Sequence, residues 1–207
     1  MASRIGAGPT RALWRESVGT PIGPLTLLTD DDGAVWALEW EDREARMFEL
    51  LRRQRGGAGI ELRTRGSAST ARAAVEAYFG GQPRVVESIA LSVAGTEFQR
   101  LVWSALQSIP VGSTVSYGAL AERLAKPRAV RAVGLANGQN PIAIIVPCHR
   151  VIGADGALTG YAGGLERKRW LLAHETGLSS ATAASDAEPA GYGGSPMSPA
   201  QLPLFGF

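Results

Sequence analysis

The sequence predicts an α/β chain of the α+β kind, with a small N-terminal sheet-plus-helices domain followed by a mainly helical domain. Three observations carry this. Between residues 13 and 40, short runs of branched and aromatic residues alternate with Gly, Pro and Asp turns. Beyond residue 96 the apolar spacing changes to three and four, as in Phe98, Leu101, Val102 and Ala105. Inside that second half stands one short, wholly apolar run, Ile142-Ala143-Ile144-Ile145-Val146, stopped by Pro147.

Residues 1–11 are expected to form a flexible N-terminus, and residues 12–95 a supporting α/β domain. Within it, 13–18, 25–29 and 34–40 read as an antiparallel meander. Its turns are Thr20-Pro21-Ile22-Gly23-Pro24 and Asp30-Asp31-Asp32-Gly33. Trp36, Leu38 and Trp40 alternate and should share a face in core packing. Residues 41–54 carry Ala45, Phe48 and Leu51 at helical spacing before Gly56-Gly57-Ala58-Gly59. A second helix over 69–79 stops at Gly80-Gly81, and residues 85–93 read as another strand. The arginines here, including Arg52, Arg53 and Arg55, are expected to be solvated.

The second domain is expected over residues 96–177. Thr96-Glu97-Phe98-Gln99 has the form of a capping box opening a helix that Pro110-Val111-Gly112 closes. Helices over 116–124 and 129–136, around Ala125-Lys126-Pro127-Arg128, have the dimensions of a helix-turn-helix. Short helix pairs are also common as mere packing units. The run 142–146 reads as a buried strand delivering Cys148 into a turn, since Pro147 removes a donor and favours an extended Val146. Gly153-Ala154-Asp155-Gly156 reads as a turn and Thr159-Gly160-Tyr161-Ala162-Gly163-Gly164 as a flexible loop. A last helix over 165–176 ends at Gly177.

At 207 residues, 45% hydrophobic and 19% charged, the chain can bury a substantial core. Its one cysteine excludes an intramolecular disulfide, and with two histidines it makes a structural zinc site improbable. No run of 18 apolar residues and no apolar signal core are present, so no membrane association is expected and the chain is placed in a reducing cytoplasm. The net charge of +2 is uneven: residues 1–95 carry 12 basic and 12 acidic groups, 96–177 carry 9 and 5, and the remainder 0 and 2. The cysteine half is the basic half, as a nucleic-acid face or an ordinary solvated surface would be.

A lone cysteine is most often a small buried hydrophobe. Here Cys148 stands beside His149 and Arg150, and imidazole and guanidinium both favour the nucleophilic thiolate. A histidine acting on a thiol needs an acceptor to orient its second nitrogen.

Ile145-Val146-Pro147-Cys148-His149-Arg150-Val151-Ile152-Gly153, followed by Gly160-Tyr161-Ala162-Gly163-Gly164, resembles the signature of the O6-alkylguanine-DNA alkyltransferases. The resemblance runs from about Thr96 to Gly177 and more weakly back to Leu13. It implies DNA repair by direct reversal: one-shot transfer of the alkyl group from O6-alkylguanine, and from O4-alkylthymine, to Cys148 after nucleotide flipping. It further implies binding to duplex DNA through the minor groove, as a monomer, without cofactor or metal. Residue by residue, Glu175 accepts from His149, which draws the thiol proton through a water. Tyr117 donates to guanine N3, and Asn140 supports the turn at the active strand. Arg131 fills the gap left in the duplex, while Ala132 and Gly134 allow close approach to DNA beside Arg128. Val151, Tyr161, Ala162 and Gly163 line the pocket; Ala162 stands where some relatives have serine, so the leaving oxygen must rely on backbone N–H. Glu175 sits unfavourably near a helix C-terminus, which fits the role implied for it.

Two readings from other classes stay open at this stage. One is a cysteine hydrolase built on Cys148, His149 and Glu175, against which weigh the adjacency of Cys148 and His149 and the lack of a recognisable oxyanion-hole element. The other is a non-reactive reader of alkylated DNA, whose members lack the cysteine. The tail, residues 178–207, is expected to be disordered, because 17 of the 23 residues from 178 to 200 are Ala, Ser, Gly or Pro. It ends in Gln201-Leu202-Pro203-Leu204-Phe205, which either folds back on the core or resembles the peptide by which bacterial proteins bind the replication sliding clamp. In that second case Gln201, Leu202, Leu204 and Phe205 make the contact.

Overall fold

The computed structural model describes residues 3–5, 10–56 and 59–177. The tail and its Gln201–Phe205 motif lie outside the described residues. Two compact units are present among the described residues: those up to Glu97 together with Pro141–Ile145, and Phe98–Asn140 together with residues 146–177.

The first unit is built on a five-stranded sheet. The expected meander is present as β2 (Thr10–Val18), β3 (Leu25–Thr29) and β4 (Val35–Trp40), paired antiparallel in succession. Asp30 makes the second turn, its carboxylate accepting from Ala34 N at 2.9 Å while Gly33 takes a φ of +83°. Helix α1 (Glu44–Gln54) then leads back to β5 (Gly59–Thr64), which runs parallel to β2, and β1 (Ser3–Ile5) closes the order β1-β5-β2-β3-β4. The flexible N-terminus expected over residues 1–11 is thus corrected: Ser3–Ile5 pair with β5 and β2 begins at Thr10. The cause is non-local, since β5 presents backbone groups that a distant segment can pair. Leu13, Leu28, Trp36, Ala37, Met47, Leu51 and Ile60 form a core under α1, each large side chain contributing about 1.5–3 kcal/mol of burial.

Helix α2 (Thr70–Phe79) is capped by Ser69, whose hydroxyl accepts from Arg72 N at 3.1 Å. Two further expectations fail in this unit. Residues 85–93 form a 3-10 turn over Val85–Ser88 and a single bridge of Leu91 to Val35, not a strand. Only Ala90 O and Ser92 N bond β4, at 2.8 Å each, so the apolar character of the run reflects edge packing. Arg55 is not solvated: its guanidinium lies 3.3 Å from the Trp36 ring centroid, and burial lowers its pKa to about 10.

The second unit begins with α3 (Glu97–Gln107), which opens one residue after Thr96 as the capping signature predicts. Its buried face includes Val102, Trp103 and Leu106, and the Trp103 indole donates to Ala136 O at 2.9 Å. Strand β6 (Val115–Ser116) pairs parallel with β7 (Val151–Ile152). Between them lie α4 (Tyr117–Arg123), capped by the Ser116 hydroxyl, and α5 (Val130–Gly138). The turn joining α4 and α5 passes through Ala125 at φ +54° and a 3-10 turn over Pro127–Ala129, giving the expected helix-turn-helix. Helix α6 (Leu165–Glu175) ends before Gly177, which takes the left-handed φ of +75° suited to a helix stop.

The run 142–146 is buried throughout, as expected, but it is not a strand. Ile142 makes one parallel bridge to Leu38; the chain then turns, with Ile145 N bonded to Ala143 O at 2.8 Å and Ile144 at φ +71°. A β-branched residue at positive φ is strained and persists only where its surroundings enforce it. Composition correctly signalled burial. It could not signal the turn.

Candidate active site and nucleic-acid interface

Cys148 opens a 3-10 turn, Cys148–Arg150, and is 6% exposed. Two asparagines hold the turn. Asn140 Nδ2 donates to Val146 O at 2.8 Å, the support expected of it. Asn137, which the sequence reading did not single out, places Nδ2 3.4 Å from Cys148 O and 3.3 Å from Tyr117 Oη.

Behind the cysteine lies a buried ionic cluster. His149 Nε2 is 2.9 Å from Glu175 Oε1, and Arg150 donates to the same carboxylate through Nε and Nη2, both at 2.8 Å. Arg150 Nη1 donates to Ile109 O at 2.6 Å, and Gly112 N–H donates to Glu175 Oε2 at 3.3 Å. Gly112 can do this because it adopts φ +75°; a Cβ there would stand 3.3 Å from Glu175 O.

Burial opposes ionisation of Glu175, but His149 and Arg150 outweigh it and hold the carboxyl well below the usual range. Burial lowers the His149 pKa, against the raising effect of Glu175. A lowered His149 is neutral at pH 7, so Arg150 is the cation that keeps Glu175 ionised. An ionised carboxylate only accepts, so Nε2 carries the imidazole proton. Nδ1 is then the basic nitrogen, buried and without a hydrogen-bond partner among the described residues. Glu175 ends α6, where the helix dipole disfavours it, and this cluster supplies the compensation. Arg150 was expected to favour the thiolate; its guanidinium is instead committed to Glu175 and Ile109 O.

The cation that interacts electrostatically with Cys148 is Lys168, a residue missed from sequence. It is fully buried, donates to Val151 O at 2.5 Å and Thr159 O at 2.7 Å, and burial lowers its pKa to about 8. A signal existed: Lys168 lies three, four and seven residues before Leu171, Leu172 and Glu175, on their stripe. It thereby ties β7 to the loop of Tyr161, Ala162 and Gly163. The Tyr161 ring meets His149 edge-on at 6.5 Å, Gly163 and Val151 are buried, and Ala162 is half-buried. His174, read as structural, stacks on Trp170 with centroids 4.7 Å apart.

Tyr117 opens α4, half-buried; burial first, then the nearby Cys148, raise its pKa, while hydrogen bonds from Asn137 and Thr159 lower it. Gly134 lies over its ring, where a Cβ would stand 3.8 Å away. Arg128, Arg131 and Ala132 are exposed, the first before α5 and the others in its first turn. Leu135, one turn after Arg131, is 63% exposed. Fold and site together define a helix-turn-helix protein that holds a buried thiol and a histidine–carboxylate pair behind its second helix.

Comparison with known proteins gives that class its family. Residues 97–177 match the 6-O-methylguanine DNA methyltransferase, DNA binding domain. The chain is 46% identical over 166 residues to a methylated-DNA–protein-cysteine methyltransferase of Shigella flexneri, covering 79% of this chain and 95% of the relative. It is 47% identical over 166 residues to the protein of that name from Salmonella typhimurium, with the same coverage. Among solved structures it resembles Mycobacterium tuberculosis OGT in complex with DNA, at a TM-score of 0.66 and 41% identity, covering 81% of this chain and 94% of that one. Mycobacterium tuberculosis O6-methylguanine methyltransferase gives a TM-score of 0.63 at 40% identity, covering 83% and 96%. The chain belongs to the methylated-DNA–protein-cysteine methyltransferase family.

Proposed function

We propose that the protein repairs O6-alkylguanine in duplex DNA by moving the alkyl group once, irreversibly, to Cys148. The observation that carries this is the buried His149–Glu175–Arg150 cluster directly after the chain's one cysteine. His149 Nδ1 takes the thiol proton through a water. The Cys148 sulfur attacks the alkyl carbon, an S–C bond forms, and the C–O6 bond breaks with its electron pair leaving on guanine. The proton ends on the departing base, which Tyr117 assists with a hydrogen bond to N3. A thioether is a poor leaving group, so the product is stable and each molecule acts once. O4-alkylthymine offers the same alkyl–oxygen bond and is a second substrate.

The base must leave the stack to reach a cysteine this buried, at a cost of about a few kcal/mol that damage reduces. Arg131 is exposed at the start of α5 and fills the gap, and Ala132 and Gly134 permit approach in the minor groove with Arg128 at its edge. Val151, Tyr161, Ala162 and Gly163 line the pocket, and Asn140 holds its floor. The protein acts as a monomer in the reducing cytoplasm. The terminal Gln201, Leu202, Leu204 and Phe205 dock on the bacterial sliding clamp, a proposal from sequence alone that fails if a 201–207 peptide shows no binding at hundreds of micromolar.

Mass spectrometry after mixing with O6-methylguanine DNA tests the main reading. The expected result is one added methyl, on Cys148, with at most one equivalent per protein, abolished by Cys148→Ser while DNA binding persists. Multiple turnovers, as a hydrolase would give, or methylation elsewhere would falsify it.

A further inference from the structure

Asn137 lies on α5, six residues after Arg131, and is 4% exposed. Its two neighbours determine how its amide is turned. Cys148 O is a carbonyl and can only accept, so the amide nitrogen faces it; the opposite orientation would set two carbonyl oxygens against each other. The same nitrogen therefore presents its second proton to Tyr117 Oη. Oδ1 is left with no hydrogen-bond partner among the described residues. A phenol has one proton and two lone pairs. With its lone pairs engaged by Asn137 and by the Thr159 hydroxyl, the Tyr117 O–H is left to be given to a third group, and accepting a hydrogen bond strengthens the one it donates.

We propose that Asn137 is a positioning residue for alkyl transfer, donating at once to Tyr117 Oη and Cys148 O so that the tyrosine serves as hydrogen-bond donor to the departing base and the cysteine backbone is fixed beneath it. This rests on the assignment of Cys148 as acceptor and Tyr117 as donor. The contacts, 3.3 and 3.4 Å without substrate, are at the long end of hydrogen bonding and are expected to tighten when a base is seated.

The test is a double-mutant cycle read by single-turnover methyl transfer from an O6-methylguanine oligonucleotide. Asn137→Leu is expected to slow transfer about tenfold in the presence of Tyr117, one hydrogen bond's worth, and less than about threefold in a Tyr117→Phe background. Equal losses in both backgrounds, or no loss, overturn the proposal. Asn137→Asp, equal in size but without the donor, replaces the leucine variant if that one does not fold, with the same expected cycle. A second readout needs no activity: the ultraviolet titration of Tyr117, isolated as the difference from Tyr117→Phe, should move to higher pH in either Asn137 variant, and an unmoved titration also overturns it. A wild-type protein that transfers no methyl group at all refutes the functional reading instead, while that titration still reports on the Asn137 contact.

Discussion

Glu175→Gln tests the buried cluster most directly. The wild-type carboxylate receives two bonds from Arg150, one contact from His149 and one from Gly112 N–H. Arg150 is 2% exposed and His149 0%, so water cannot replace the lost partner. Removing one member of a buried ion pair costs about 3–5 kcal/mol. Glutamine keeps one acceptor oxygen, which puts the loss near about 3 kcal/mol, or about 6–12 °C in melting temperature for a chain of this length. Acid adds a second signature. Because the folded carboxyl is held below its unfolded value, its contribution is complete above about pH 4.3 and is lost as pH falls beneath that. The gap between wild type and Glu175→Gln should therefore shrink on acidification from pH 7 to 3. Transfer should fall about 100-fold, since a neutral glutamine no longer supports the basicity of His149 as the carboxylate does. Thermal melts across that pH range and single-turnover assays at pH 7 read both effects. A melting temperature lowered by less than about 3 °C at pH 7, or a gap that does not narrow in acid, refutes the account of Glu175 as the ionised centre of the cluster.

Arg131→Ala should reduce repair in duplex DNA about tenfold while leaving reaction with free O6-benzylguanine unchanged, because the free base needs no flipping; equal losses would show Arg131 to be structural. Lys168→Met removes a group that titrates near pH 8 in the folded protein and at 10.5 when unfolded. The unfolded chain binds the extra proton between those values, so wild-type stability should rise from pH 8 to 10.5 relative to Lys168→Met; parallel profiles would place Lys168 in contact with water.

Much of the fold was legible because the relevant signals are local. The Asp30–Gly33 turn, the helix stops at Gly80 and Gly177 and the 3.6-residue stripe of α3 each act within a few residues, and those elements lie where the sequence puts them. The candidate site was equally legible, as a single cysteine in a distinctive run with His149 and a distant Glu175. Tertiary structure alone decided what depends on partners remote in sequence. Strands β1 and β5 pair across more than fifty residues, and the apolar run before Pro147 is bent through Ile144 by surroundings that burial predicts but composition does not orient. Lys168 and Asn137 look like ordinary helix residues in the chain, and Arg150 looks like a cation for the neighbouring thiol. Each is buried because the fold brings an obligate partner to it: Glu175 for the guanidinium, two backbone carbonyls for the ammonium, and Cys148 O with Tyr117 Oη for the amide. Hydrogen bonds to main-chain atoms leave no mark on the identity of the residue that supplies them, so sequence could name Cys148, His149, Glu175 and Asn140 as site residues but not Lys168 or Asn137, which bond backbone carbonyls there.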